Sequence, residues 1–323
     1  MLSIVYKTNN NHWVSVDSFD QISNDAIEID CRFNNLTNNM LPDFEHFTKL
    51  RIIDCSENKL TKLPEWKYLI NLEEINCNYN KLVNLPEWKS LINLKIINCI
   101  GNKLTCLPEW NTLINLQIIN CNNNELKLLP KWNALINLQE INLIFNKLEW
   151  LPEWNTLINL RKINCNSNKL TYLPKFEHLI NLRKIKCGDN KLTCLPDWTQ
   201  LINLEEIYCA MNKLIKLPEW EMLIKLKTIN CSNNKLTYLP EWNTLTNLIL
   251  IDCSNNKLIY LPEWNTLTNL ILIYCSNNKL IYLPEWNTLI NLKRIDYSYN
   301  QVISETLSEW KSLLNYNIDQ NFL

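Results

Sequence analysis

The chain has 323 residues, 46% of them hydrophobic and 20% charged, with a formal net charge of -1 at pH 7. Such a composition excludes a disordered chain and leaves ample apolar surface for a core. The near-zero charge removes any global attraction for nucleic acid or an acidic membrane, because a polyanion partner needs a net basic face.

The first residues, Met1 to Lys7, run into the polar stretch Thr8, Asn9, Asn10 and Asn11, and nothing there approaches the length of a signal h-region or a membrane span. An intracellular location is the expectation. Residues 1–25 read as an N-terminal cap in which Trp13, Val14, Val16, Phe19 and Ile22 cover the open edge of the first repeat.

Residues 26–302 are about 13 copies of one unit. All twelve prolines, from Pro42, Pro64 and Pro86 to Pro284, are spaced 22 residues apart without a slip. One unit runs Asn124, Leu126, Leu129, Pro130, Trp132, Leu135, Leu138, Ile141, Leu143 and then Asn146. Neither an amphipathic helix nor a long alternating strand has that pattern. Ile53, Ile75 and Ile97 alternate with Cys55, Cys77 and Cys99 along a short segment, which predicts strands whose Ile and Cys point inward and whose neighbours face solvent. Stacked units then make one parallel sheet.

Ten of the thirteen cysteines recur at one repeat position. Side by side and in register, they keep parallel Cβ vectors, no C-x-x-C pair occurs, and Leu143 and Tyr297 replace Cys in the same column, so they read as reduced core thiols. Asn58, Asn80, Asn102 and their successors to Asn300 sit where the chain leaves the strand, placed to bond backbone groups that would otherwise be buried unpaired at a cost of ~1–3 kcal/mol each. The tryptophan row, Trp66 to Trp286, with Phe44 and Phe176 as substitutes, reads as convex-side core in which ring volume outweighs the indole N–H. After each Leu-Pro the convex segment is expected to be a single 3-10 or irregular turn. The register breaks after Asn300, and residues 303–323 read as a capping helix carrying Leu307, Trp310, Leu313 and Leu314 on one side.

The stretch Leu116, Ile119, Cys121, Asn124, Leu126 matches L-x-x-L-x-L-x-x-N-x-L, with Cys in one leucine slot. Over residues 26–302 the chain therefore resembles the leucine-rich-repeat proteins. Its 22-residue register is similar to that of phosphatase regulatory subunits and bacterial internalins, and its Asn-rich, Cys-bearing version to repeat proteins of giant DNA viruses of amoebae. The resemblance implies an α/β repeat solenoid, a curved right-handed coil with a parallel sheet on the concave face and short 3-10 or irregular convex segments. It implies binding rather than chemistry, since the family is defined by a scaffold.

Gly101 and Gly188 are the only glycines, so neither a phosphate-cradling G-x-x-x-x-G-K loop nor a dinucleotide G-x-G-x-x-G exists. His12, His46 and His178 lack plausible catalytic partners, and Cys106 and Cys194, outside the core column, have nothing beside them to activate a thiolate. No catalytic residue, metal site or cofactor is expected.

Function then falls to the outward sheet positions, three and one before the core Cys and one after it, because these vary while the scaffold rows do not. Ile96, Ile100, Ile118, Ile144 and Phe145 form the first candidate surface, an exposed apolar patch suited to a protein ligand. Lys162, Lys184 and Lys186 add a basic stretch, and Glu74, Glu140 and Glu206 acidic spots. Leu250, Leu272, Tyr208 and Tyr274 weigh less, because residues 239–260 and 261–282 differ only at Asp252 versus Tyr274 and read as a recent duplication. Lysine also comes directly after the structural Asn in most units, from Lys59 to Lys279, but the Glu of Leu-Pro-Glu recurs almost as often, which favours a solvated row over a polyanion track. The expectation is a non-catalytic protein-binding scaffold. A self-associating structural component, for instance of a virion, is the alternative, and polyanion binding along the lysine edge ranks third.

Overall fold

The computed structural model describes residues 2–302, in two compact units, Met1–Asn164 and Cys165–Leu323. The first contains β1 (Ile4–Thr8), β2 (Trp13–Val16), a 3-10 turn at Phe19–Gln21, β3 (Ala26–Asp30), β4 (Ile52–Asp54), β5 (Glu74–Asn76), β6 (Ile96–Asn98), β7 (Ile118–Asn120), β8 (Glu140–Asn142) and β9 (Lys162–Asn164). The second contains β10 (Lys184–Lys186), β11 (Glu206–Tyr208), β12 (Thr228–Asn230), β13 (Leu250–Asp252), β14 (Leu272–Tyr274) and β15 (Arg294–Asp296). Both units are repeat solenoids in which one short strand per coil joins a parallel sheet. No α-helix occurs among the described residues.

In each unit the strands pair in register, so that Ile53 lies beside Ile75, Ile97 beside Ile119, and Ile207 beside Ile229, all fully buried. Cys55, Cys77 and Cys99 come two residues later and are equally buried, as the alternation predicts. Their thiols are free. Those of Cys77 and Cys99 are close enough to donate to a carbonyl of the next coil, at 3.3 Å from the Asn98 and Asn120 oxygens. Burial raises the pKa of every core thiol, that of Cys165 to about 12, which keeps them protonated as donors.

The strands stop after three residues because the chain turns sharply there. Tyr79, Gly101, Asn123, Phe145, Asp189, Met211 and Asn233 occupy one turn position and all have positive φ, a conformation incompatible with continuing a strand. The next residue is the structural Asn. Asn80 donates through Nδ2 to the carbonyls of Cys55, Cys77 and Asn78, and its Oδ1 accepts from the Leu60 amide at 2.9 Å. The carboxamide thus reaches back to the preceding coil rather than forward.

Each convex segment contains two successive turns, with the Leu69 amide bonding the Trp66 carbonyl and the Leu72 amide bonding that of Leu69. The tryptophan row corrects the expectation drawn from its exchange with Phe. Its indole N–H is used in coil after coil, Trp88 donating to the Pro64 carbonyl and Trp110 to that of Pro86, both at 3.1 Å. The row also has left-handed backbone, φ being 46° at Trp88 and 48° at Trp110. Trp88 and Trp110 stack nearly parallel with centroids 6.4 Å apart. Paired strands are only ~4.8 Å apart, so within each unit the coils spread away from the sheet, which lies on the inner side of the bend.

At the N-terminal edge, the cap is a hairpin. β1 pairs antiparallel with both β2 and β3, and Ile4, Tyr6 and Ile22 are buried. Trp13 and Val14, expected to be covering residues, are instead 50% and 36% exposed, because β2 is the outer strand of the hairpin. The helix expected over 303–323 lies outside the described residues.

Candidate functional site

In the first unit, the outward row three residues before the core cysteine reads Ile52, Glu74, Ile96, Ile118, Glu140, Lys162 on successive strands. Ile96 and Ile118 are direct neighbours in the sheet, each half-buried, with the carboxylates of Glu74 and Glu140 on either side. The next outward row is a polar seam that sequence reasoning passed over. Asn120 Nδ2 donates to Asn98 Oδ1 at 2.6 Å and Asn142 Nδ2 to Asn120 Oδ1 at 2.8 Å, while Asn76 donates to Asp54 and Asn98 to Glu74. A run of Asn in one column was the available signal. These bonds lock the amide orientations and make the centre of the face rigid.

Ile100 and Ile144 lie beyond that seam, half-buried, with their amides held by the side chains of Asn78 (2.6 Å) and Asn122 (3.0 Å). Phe145 stands next to Ile144 at the left-handed turn, φ 53°, and is 62% exposed. The structure therefore joins Ile96 to Ile118, joins Ile144 to Phe145, and sets the two pairs on opposite sides of the asparagine column. Tyr79, absent from the sequence-based set, shares the turn row with Phe145 and is 52% exposed.

The lysines are not bare charges. Lys162 pairs with Glu140 at 3.2 Å within the first unit. In the second unit Lys184 pairs with Glu206, and the ammonium groups of Lys184 and Lys186 stand 5.1 and 5.2 Å from the centre of the Tyr208 ring. Tyr208 donates to Glu206, and burial together with that carboxylate pushes its pKa up to about 12. Lys162 and Lys184 are thus compensated by carboxylates, whereas Lys186 stands against the Tyr208 ring.

Where the hairpin meets the sheet, a cleft of about 560 Å³ is lined by Trp13, Glu28, Asp30, Ile52, Asp54 and Glu74, with Arg32 bridging Asp30 and Asp54. Burial, Asp54 and Glu28 hold the Glu74 carboxyl above the usual range. Elsewhere, His12, His46 and His178 are exposed, as are Cys106 and Cys194.

The fold matches solved structures. A leucine-rich effector protein, YopM from Yersinia pestis, is 30% identical over 79% of this chain and 68% of its own length, with a TM-score of 0.66. This chain belongs to the leucine-rich-repeat family. A leucine-rich-repeat protein of Leptospira interrogans is 29% identical, covering 90% of this chain and 83% of that one, with a TM-score of 0.74. A chain of the Toll–Spatzle complex from Drosophila, 23% identical over 83% of this chain and 40% of its own, shares the fold with a TM-score of 0.74. No family model and no curated protein matches the sequence.

Proposed function

We propose that this leucine-rich-repeat chain is a non-catalytic scaffold that holds a protein ligand on the outward face of its sheet. The observation that carries the reading is the Ile96–Ile118 pair, an apolar contact point on a rigid strand surface, bounded by Glu74 and Glu140. Pre-ordered apolar anchors ringed by polar groups are where binding energy concentrates, and the surrounding charge selects among partners. A chain of the same fold occurs in a protein–protein complex, Toll–Spatzle. Ile100, Ile144 and Phe145 extend the surface beyond the asparagine seam, and Lys162 with Glu140 supplies selective charge beside it; on the second unit, Lys184 and Lys186 with Glu206 offer a charged surface of their own. No cofactor enters this reading.

The test is an affinity capture from lysate of the source cell with three purified chains: wild type, Ile96→Lys with Ile118→Glu, and Ile136→Lys on the far side of the coil. A protein retained by the wild type and by Ile136→Lys but lost from the double variant is the expected result. Equal retention by all three contradicts the sheet-face assignment.

A second reading, a self-associating structural component such as a virion protein, is favoured by one feature. Ile70, Ile92, Ile114, Ile136 and Ile158 form a column across consecutive coils of the first unit, each about half exposed. The resemblance to giant-virus repeat proteins sits with this reading. It predicts a mass that rises with concentration, and a monomer at tens of micromolar contradicts it.

A further inference from the structure

We propose that the second unit carries a separate binding strip for single-stranded nucleic acid, built from two parallel ladders, one of lysine and one of tyrosine. The lysines are Lys235, Lys257 and Lys279, all exposed, preceded in equivalent positions of earlier coils by Lys169, Lys191 and Lys213. Three residues further along each of the last three coils stand Tyr238, Tyr260 and Tyr282, exposed by 40%, 44% and 44%. Only a buried leucine and an exposed Thr237, Ile259 or Ile281 separate lysine from tyrosine, so both ladders share one strip of surface.

Neither ladder is required by the scaffold. The coil position of the tyrosines holds Lys62, Asn84, Cys106, Leu128 and Trp150 in the first unit, all exposed, so the fold accepts any side chain there. Nor are the lysines neutralised. In the first unit the equivalent column is interrupted by Glu125, which pairs with Lys147 at 2.8 Å. Among the described residues of the second unit no ion pair involves Lys169, Lys191, Lys213, Lys235, Lys257 or Lys279. Glu241, Glu263 and Glu285 are exposed as well, but each lies three residues beyond its tyrosine, across the Leu-Pro step, and makes no ion pair with the lysine column.

The net charge of the whole chain therefore hides a local array of like charges. Its spacing is that of the coils, between the ~4.8 Å of paired strands and the 6.2 Å that separates Trp220 from Trp242 and Trp242 from Trp264. A linear polyanion is the partner whose charges repeat on that scale. The tyrosines narrow the class. Stacked bases rise by ~3.4 Å along a strand, less than the spacing of the coils, so a strand laid along this strip must open its stack and turn its bases onto the tyrosine rings rather than onto one another. Only a flexible single strand does this, with phosphates on the lysines and base faces on the rings.

The test uses the full chain and a fluorescein-labelled oligothymidylate of about 12 nucleotides, a length within the usual site size, with fluorescence anisotropy read from low to high salt. Binding that weakens with salt is expected. Lys235→Gln, Lys257→Gln and Lys279→Gln combined should reduce the log–log salt slope by about 2, at about 0.7 per lost contact. Combined Tyr238→Ser, Tyr260→Ser and Tyr282→Ser should weaken binding at least about tenfold with the slope unchanged. All six side chains are exposed, and the cooperative unfolding of both variants verifies that they fold. Ile96→Lys with Ile118→Glu should bind the strand as the wild type does, which separates this strip from the sheet face. No binding at low salt overturns the proposal. So does unchanged binding by the tyrosine variant with equal competition from inorganic polyphosphate, which would mark a plain polyanion surface.

Discussion

The indole nitrogen of Trp264 donates to the carbonyl oxygen of Pro240 at 3.1 Å, one coil back, with both residues buried. One side chain thus fills the convex core and satisfies the backbone of its neighbour. Trp264→Phe keeps an aromatic ring but leaves the Pro240 carbonyl without its donor. The expected loss of stability is about 2 to 4 kcal/mol, combining an orphaned buried acceptor with a smaller buried ring. Urea unfolding measures it, and a loss below about 0.5 kcal/mol would mean that volume alone matters at this position.

The turn row makes an opposite prediction. Phe145 has φ 53° and 62% exposure, whereas Asn occupies the same place as Asn123, Asn233, Asn255 and Asn277. A bulky residue there bears left-handed strain without the return of burial. Phe145→Asn should raise stability by about 0.5 to 1 kcal/mol while weakening ligand capture. At Gly101, φ 67°, an added Cβ would stand 2.6 Å from Cδ1 of Tyr79. Gly101→Ala should destabilise the chain, and Tyr79→Ala in the same chain should restore the steric part of the loss but not the part due to φ, as read by a double-mutant cycle.

Acid should act partly through Glu73. Its carboxylate bonds Arg51 and Lys95, each at 2.7 Å, and these partners lower its pKa from the ordinary 4.5 to about 2. A pKa depressed on folding stabilises the folded form above the unfolded value, and that contribution is lost as pH falls through the folded value. Glu73→Gln should therefore unfold earlier than wild type above pH 4.5, and the gap should close towards pH 2. The pair is partly open to solvent, so added salt should narrow the gap as well.

The thiols divide cleanly. Cys106 and Cys194 are exposed and the other eleven cysteines are buried, so brief alkylation of the native chain, read by intact mass, should add two groups. After unfolding in urea it should add thirteen, the number in the sequence. Labelling of the core column under native conditions would mean that the coils open readily.

Much of this architecture was legible in the sequence. The 22-residue spacing of Pro42 to Pro284 gives the coil, and the Ile–Cys alternation gives the strand and its inner face. Less legible were features set by backbone sign. Nothing in a tryptophan codon marks φ 46° at Trp88, and without that angle the bond to Pro64 is not foreseeable. The same holds for Phe145, whose neighbour Ile144 is an outward strand-end residue while Phe145 itself turns with the chain. The candidate patch was therefore drawn as one cluster, whereas the bonds linking Asn98, Asn120 and Asn142 divide it. The hairpin of β1 and β2 was missed because its residues alternate too briefly to be separated from a loop.

Site-directed photo-crosslinking reports whether a protein partner sits on the sheet face. A photoreactive amino acid replaces Ile118 on that face in one chain and Ile136 on the far side of the coil in another, and each is irradiated in source-cell lysate. A discrete crosslinked protein is expected from position 118, abolished by Ile96→Lys, and none from position 136. Crosslinks from position 136 with none from 118 would contradict a partner on that face.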